Sequence, residues 1–267
     1  MSPEEHLRSG NPQEALKALQ EQVRADPSNA KLRIFLFQLL CVLGDWKRAV
    51  AQLRLSAELD ASATVMAQAY REAILCEVYR DKVFRGEKTP MILGEPQAWL
   101  AKLIESVKLL AEGHQAEAAG LRDEAYEAAP AIAGEIDGTR FEWIADADSR
   151  LGPVLEVILN GRYFWVPFAQ IQKLEIDEPS DLRDLVWMAG TLTLANEGAL
   201  PVFIPTRYPG SAAAGDAALM ARATDWKDAG GGAYIGFGQR LLTIGEQDFA
   251  LMDIRQLQLG DAGQADG

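Results

Sequence analysis

Histidine, cysteine and positive charge are all scarce in this chain, and each shortage excludes something. Only two histidines occur in 267 residues, His6 near the N-terminus and His114 in a turn, so a histidine-rich metal cluster or a Ser/His or Cys/His pair is hard to assemble. The two cysteines, Cys41 and Cys76, each fall in an apolar stretch of helical character. Without paired spacing they read as small buried hydrophobes, not as a disulfide or as metal ligands. Lys and Arg number 26 against 39 Asp and Glu, a formal net charge of −13. A phosphate backbone or an anionic membrane would be repelled, and no local basic patch reverses the balance. Long apolar runs are missing as well: nothing approaches the roughly 18 residues needed to span a bilayer. Met1-Ser2-Pro3-Glu4-Glu5 is acidic where a secretory signal would be basic. These absences lead us to expect a cytoplasmic protein with no cofactor or metal, no nucleic-acid partner and no membrane insertion.

What the chain does contain is a repeat. Gly10-Asn11-Pro12-Gln13-Glu14-Ala15, followed by Leu19 and Asp26-Pro27, recurs as Gly44-Asp45-Trp46-Lys47-Arg48-Ala49, followed by Leu53 and Asp60-Ala61. The offset is 34 residues at every matched position, the tetratricopeptide period. A degenerate third copy, Gly113-His114-Gln115-Ala116-Glu117-Ala118, lies 69 residues after the second and ends at Ala129-Pro130. Glycine allows the sharp turn between antiparallel helices, alanine their close approach, and proline ends the second helix. Apolar spacing predicts helices over 12–25, 30–43, 46–59, 62–84, 96–112 and 114–128. A short cap stands where the first repeat's leading helix would be. The insert 85–95 interrupts the helices, and its Met91-Ile92-Leu93 is apolar enough to be docked. The concave face of stacked leading helices suits an amphipathic helix or extended segment, with Phe35, Gln38, Trp46, Tyr70 and Trp99 as candidate contacts. The plainer reading makes the repeats a scaffold for the second half.

Beyond Gly134 the texture changes to short β-rich runs. Val154-Leu155-Glu156-Val157-Ile158-Leu159 and Tyr163-Phe164-Trp165-Val166 flank Asn160-Gly161, a pair suited to a tight hairpin. Further strands are expected over 139–144, 171–176, 185–194, 200–204, 233–237, 240–244 and 249–259, with one helix over 213–224. The fold class is α+β in two domains: tetratricopeptide-like helices over 1–134, then a mainly antiparallel, barrel-like β domain over 135–260. A polar tail at 261–267 is expected to be disordered.

The residues that carry charge in the second half are Asp146, Asp148, Asp181 and Asp184, with Arg150 and Arg183 close in sequence. Two carboxylates of split pKa would serve a small hydrolase if Asp146, Asp148 and Asp184 converged in one pocket. Alternation of acid and base across loops instead favours Arg–carboxylate pairs that fix those loops, and no catalytic residue is assigned. Gly230-Gly231-Gly232 lacks the Gly-Lys-Ser/Thr ending of a phosphate loop. Trp143, Trp165, Trp187 and Trp226 read by default as core, although Trp beside Arg is also the composition of interaction hot spots. Trp165 and Trp187 are the two most expected to be buried.

Five stretches carry a family resemblance when taken together. They are Phe141-Glu142-Trp143-Ile144-Ala145-Asp146-Ala147-Asp148-Ser149-Arg150-Leu151-Gly152-Pro153, Gly161-Arg162-Tyr163-Phe164-Trp165-Val166-Pro167-Phe168, Asp181-Leu182-Arg183-Asp184-Leu185-Val186-Trp187, Ile204-Pro205-Thr206-Arg207-Tyr208-Pro209-Gly210-Ser211 and Gly238-Gln239-Arg240. The chain resembles the ImpE family (TagJ, SciE-type) of type VI secretion accessory proteins, and the likeness extends over the repeats. It implies a noncatalytic accessory factor associated with the small subunit (TssB-like) of a contractile sheath, through a helix of that subunit. Modulation of sheath assembly or recycling by the secretion ATPase would follow. A structural baseplate or scaffold component is the alternative. Asp146, Asp148, Arg150, Arg183, Asp184, Arg207 and Tyr208 become candidates for a polar network or an interaction surface.

Overall fold

A computed structural model describes residues 1–195 and 198–260, so the tail at 261–267 lies outside the described residues. Seven helices come first: α1 (Pro3–Arg8), α2 (Pro12–Ala25), α3 (Ala30–Val42), α4 (Trp46–Leu59), α5 (Thr64–Phe84), α6 (Ala98–Glu112) and α7 (Gln115–Ala128). Their ends follow local chemistry. Ser2 and Glu5 form a capping box on α1, Asn29 caps α3, and Asp45 caps α4 through the Arg48 N–H. The three repeat glycines, Gly10, Gly44 and Gly113, have φ of 79°, 72° and 88°, which a β-carbon would strain. The repeat alanines Ala15, Ala49 and Ala118 are buried where helices approach.

The strands are β1 (Met91–Ile92), β2 (Gly134–Ile136), β3 (Thr139–Phe141), β4 (Ala145–Asp146), β5 (Val154–Leu159), β6 (Arg162–Pro167), β7 (Ile171–Ile176), β8 (Trp187–Leu194) and β9 (Ala199–Pro205). A short α8 (Asp216–Leu219) precedes β10 (Thr224–Asp228), β11 (Tyr234–Gly238), β12 (Leu241–Ile244), β13 (Gln247–Ala250) and β14 (Gln256–Leu259). Nine strands form one sheet in the order β1-β6-β5-β9-β8-β7-β14-β2-β3, antiparallel except for the parallel β1–β6 pair. The insert 85–95 thus supplies the first edge strand from within the helical half. Asn160 and Gly161, at φ 50° and 69°, make the two-residue turn of the β5–β6 hairpin.

The expected barrel is not there: the main sheet is open. Its end strands, β1 and β3, are two and three residues long and do not meet, and such short edges offer little to pair with. The helix expected over 213–224 shrinks to a 3₁₀ turn and α8, because Gly215 (φ 99°) and Ala221 (φ 53°) break the helix at both ends. The run 249–259 splits into β13 and β14 around a turn in which the Asp253 N–H donates to Ala250 O.

Strand β5 shows how the two halves meet. Every one of its residues is buried. Val154 and Ile158 join the helical core through Leu40, Tyr70, Ile74 and Phe84, whereas Leu155, Val157 and Leu159 join a second core with Leu242, Ile244, Leu251 and Ile254. The sheet therefore lies between the helices on one face and the β4-β12-β13 sheet on the other, and the helices and β strands share one apolar cluster.

Candidate functional site

A chain of buried charges crosses this shared core. Arg80, on the inward face of α5, grips Glu156 of β5 in a two-pronged pair at 2.6 and 2.7 Å and donates to Arg207 O at 2.9 Å. Glu156 also receives Arg240 and the Tyr163 hydroxyl, and that hydroxyl accepts from Trp165 Nε1 at 2.7 Å. Arg240 spans on to Asp146 and donates its Nε to Pro205 O at 2.9 Å. Asp146 accepts the Tyr208 hydroxyl at 3.0 Å and the Asp148 N–H at 2.9 Å. Asp148 holds Arg150 at 2.9 and 2.6 Å and accepts the Gly236 N–H at 2.9 Å. Gly236 is obligatory here, because a β-carbon would collide with the Tyr208 ring.

The electrostatics follow from the pairing. Burial alone would raise the Glu156 carboxyl, but the charges of Arg80 and Arg240, with hydrogen bonds from Arg80 and Tyr163, overcome it and hold the group down to about 2. The unfolded chain returns it to 4.5, so the stabilisation is complete above pH 4.5 and is lost as pH falls toward 2. Glu156→Gln should flatten that part of the stability profile. Chemical denaturation at pH 5 and pH 3 checks it: the wild type should lose more stability over this interval than the variant, by about 2 kcal/mol. Arg207 has no carboxylate within salt-bridge reach among the described residues. Burial lowers it to about 10, and it donates to the carbonyls of Val42 (2.8 Å) and Leu219.

The residues singled out in the sequence separate into three groups. Asp146, Asp148, Arg150, Arg207 and Tyr208 lie buried within or beside the network. Asp184 and Arg183 stand apart: Asp184 accepts the Ser180 and Asp181 N–H groups at 2.6 and 2.8 Å, and Arg183 pairs with Asp181 while lying 4.5 Å over the Tyr70 ring. Asp146, Asp148 and Asp184 therefore share no pocket. A cleft of about 220 Å³ beside Arg80 and Arg207 is lined also by Trp46, Glu77 and Asp81 and by none of these three. Among the described residues, no group of three or more His, Cys, Asp or Glu is placed to hold a metal ion.

The proposed concave contacts need correcting. Tyr70 and Trp99 are buried, at 8% and 5% exposure, and unavailable to a partner in this arrangement. The inner helices already have an occupant, the chain's own sheet. Tyr70 packs on Trp187 and Phe203, Trp46 on Trp187, and Trp187 Nε1 donates to Glu77 at 3.1 Å. Phe35, Gln38 and Trp46 are half-buried. Helix ends are tied down across the same seam: Arg207 takes the Val42 carbonyl at the end of α3, and Arg222 takes the Leu7 carbonyl at the end of α1 at 2.7 Å.

A profile of the ImpE protein family matches residues 138–258, which contain Asp146, Glu156 and Arg240, and a tetratricopeptide repeat profile matches residues 6–71. Over 96% of its length the chain is 53% identical to the type VI secretion system accessory component TagJ of Pseudomonas aeruginosa, covering 90% of that protein. The chain belongs to the ImpE family. Protein VPA1032 of Vibrio parahaemolyticus, a crystal structure, superposes with a TM-score of 0.89 at 28% identity, covering 97% of each chain. The ImpE architecture thus includes both the repeats and the sheet. In this ImpE chain, the residues that sequence reasoning overlooked are Glu77, Arg80, Glu156 and Arg240, the last quoted only within a matching stretch. A signal did exist for Glu156, a lone acid among the five apolar residues of β5; Arg80 shares the inward stripe of α5 with Ala73, Glu77 and Phe84.

Proposed function

We propose that this chain is a noncatalytic accessory protein of a type VI secretion system that binds a helix of the small subunit of the contractile sheath and modulates sheath assembly or recycling. The observation that carries the reading is near-full-length identity to the accessory component TagJ, across both halves. The buried charges support it: they are consumed by one another, and no buried side-chain nitrogen or oxygen among the described residues lacks a hydrogen-bond partner. Such a network holds a scaffold rigid and leaves Asp146 and Asp148 with no access to a substrate. Because the inner faces of α3 and α5 are covered, the partner helix must use another surface.

The test is calorimetric titration of the intact chain with the cognate sheath small subunit. Saturable one-to-one binding in the micromolar range, about −8 kcal/mol, is expected. Absence of heat, together with no co-elution at concentrations near 100 µM, about a hundredfold above that range, would reject the reading.

A further inference from the structure

Resting on that reading, we infer that the partner segment seats in the groove between the N-terminal half of α5 and the uncovered face of the main sheet. We further infer that this segment combines small or apolar side chains with one or two Lys or Arg. The helices cover β6 and β5 but leave the same face of β8 and β9 open farther out, and a groove of about 390 Å³ remains there. Ala69 and Glu72 form its wall, and Ile158, Phe203, Ala189 and Thr191 its floor. Val65, in the first turn of α5 and one turn before Ala69 on the same stripe, is 82% exposed, the highest value among the large hydrophobic side chains of the described residues. This wall is accessible and joins apolar Val65 and Ala69 to the Glu72 carboxylate, unlike the apolar inner face deeper along the same helix.

Charge identifies the occupant. Glu72 and Asp177 both line the groove, and no Lys or Arg does. Among the described residues neither carboxylate forms a salt bridge, and Glu72 receives only Gln68 Nε2, at 2.5 Å. A cation entering between them gains two partners. A second copy of this chain fits poorly, since each copy carries a net charge of −13. The chain's own last eight residues, Gly260 to Gly267, contain two aspartates and no basic residue, so they lack the required chemistry too. A basic, small-apolar segment of another protein fits both the charge and the apolar floor.

The experiment uses the intact chain and the cognate sheath small subunit, with affinity measured for the wild type, Glu72→Lys/Asp177→Lys and Asp177→Lys alone. Glu112→Lys, exposed at the end of α6, controls for bulk charge. Asp177 is exposed at a strand end, so its single variant remains informative if the double variant does not fold. Reversal at the groove should weaken binding roughly tenfold per site and reduce its salt dependence, while Glu112→Lys changes it less than about twofold. Binding by the groove variants at wild-type strength, or equal weakening by Glu112→Lys, would overturn the groove while leaving the sheath reading in place. Failure of the wild type to bind would overturn both.

Discussion

Replacing Arg240 with leucine should destabilise the protein by about 3–5 kcal/mol, a large part of the total stability of a typical domain. Arg240 is fully buried and joins Asp146 to Glu156, with its Nε on the Pro205 carbonyl. Its loss strands two carboxylates in a dry interior, with Arg80 left to neutralise only one. The cost comes from the stranded charge, not from lost packing, and that distinction can be measured. Combining Arg240→Leu with Asp146→Asn removes one buried charge of each sign, leaves the Arg80–Glu156 pair intact and should recover more than half of the loss, because a buried ion pair replaced as a unit is often nearly neutral. Urea unfolding followed by circular dichroism on the single and double variants decides it. A single variant within 1 kcal/mol of wild type, about the effect of an ordinary surface change, would show that the network contributes little.

The second large effect concerns the helical half alone. A fragment covering residues 1–133 should fail to unfold cooperatively and should aggregate. Removal of the sheet uncovers Phe37, Tyr70, Ile74 and Phe84 on one side of the helices and leaves Arg80 without Glu156. It also frees the Leu7 and Val42 carbonyls now bound by Arg222 and Arg207. An exposed apolar face of this extent is unusual for a monomer. Co-expression with residues 134–267 should restore a soluble complex that melts in one transition. A fragment 1–133 that melts sharply at the temperature of the intact chain would show that the shared core contributes nothing to the helices. Binding measurements should accordingly use the whole chain.

What could be read beforehand was whatever depends on neighbours in sequence. The 34-residue offset placed the glycine turns at Gly10 and Gly44, and Asn160-Gly161 placed the β5–β6 hairpin. Burial of Trp165 and Trp187 followed from their apolar strands. Contacts between distant residues were not readable. Arg80 and Glu156 are 76 positions apart, and Arg207 reaches the Val42 carbonyl across 165. No local pattern distinguishes Tyr70, covered by the sheet, from an exposed groove residue on the same kind of helix. Closure of the sheet was also beyond local pattern, because it depends on the length and position of β1 and β3 and not on strand propensity.

The position of Arg240 in the chain has a consequence for biosynthesis. Arg80 and Glu156 have both left the ribosome before Arg240 is made, 84 residues after Glu156. At translation rates of about 5–20 residues per second, Glu156 waits roughly 4–17 s and Asp146 roughly 5–19 s for their shared cation. Until then Glu156 can pair with Arg80, but Asp146 on β4 has no buried cation, and water must remain around it. The nascent chain therefore cannot close that part of the core until the segment around Arg240 is available.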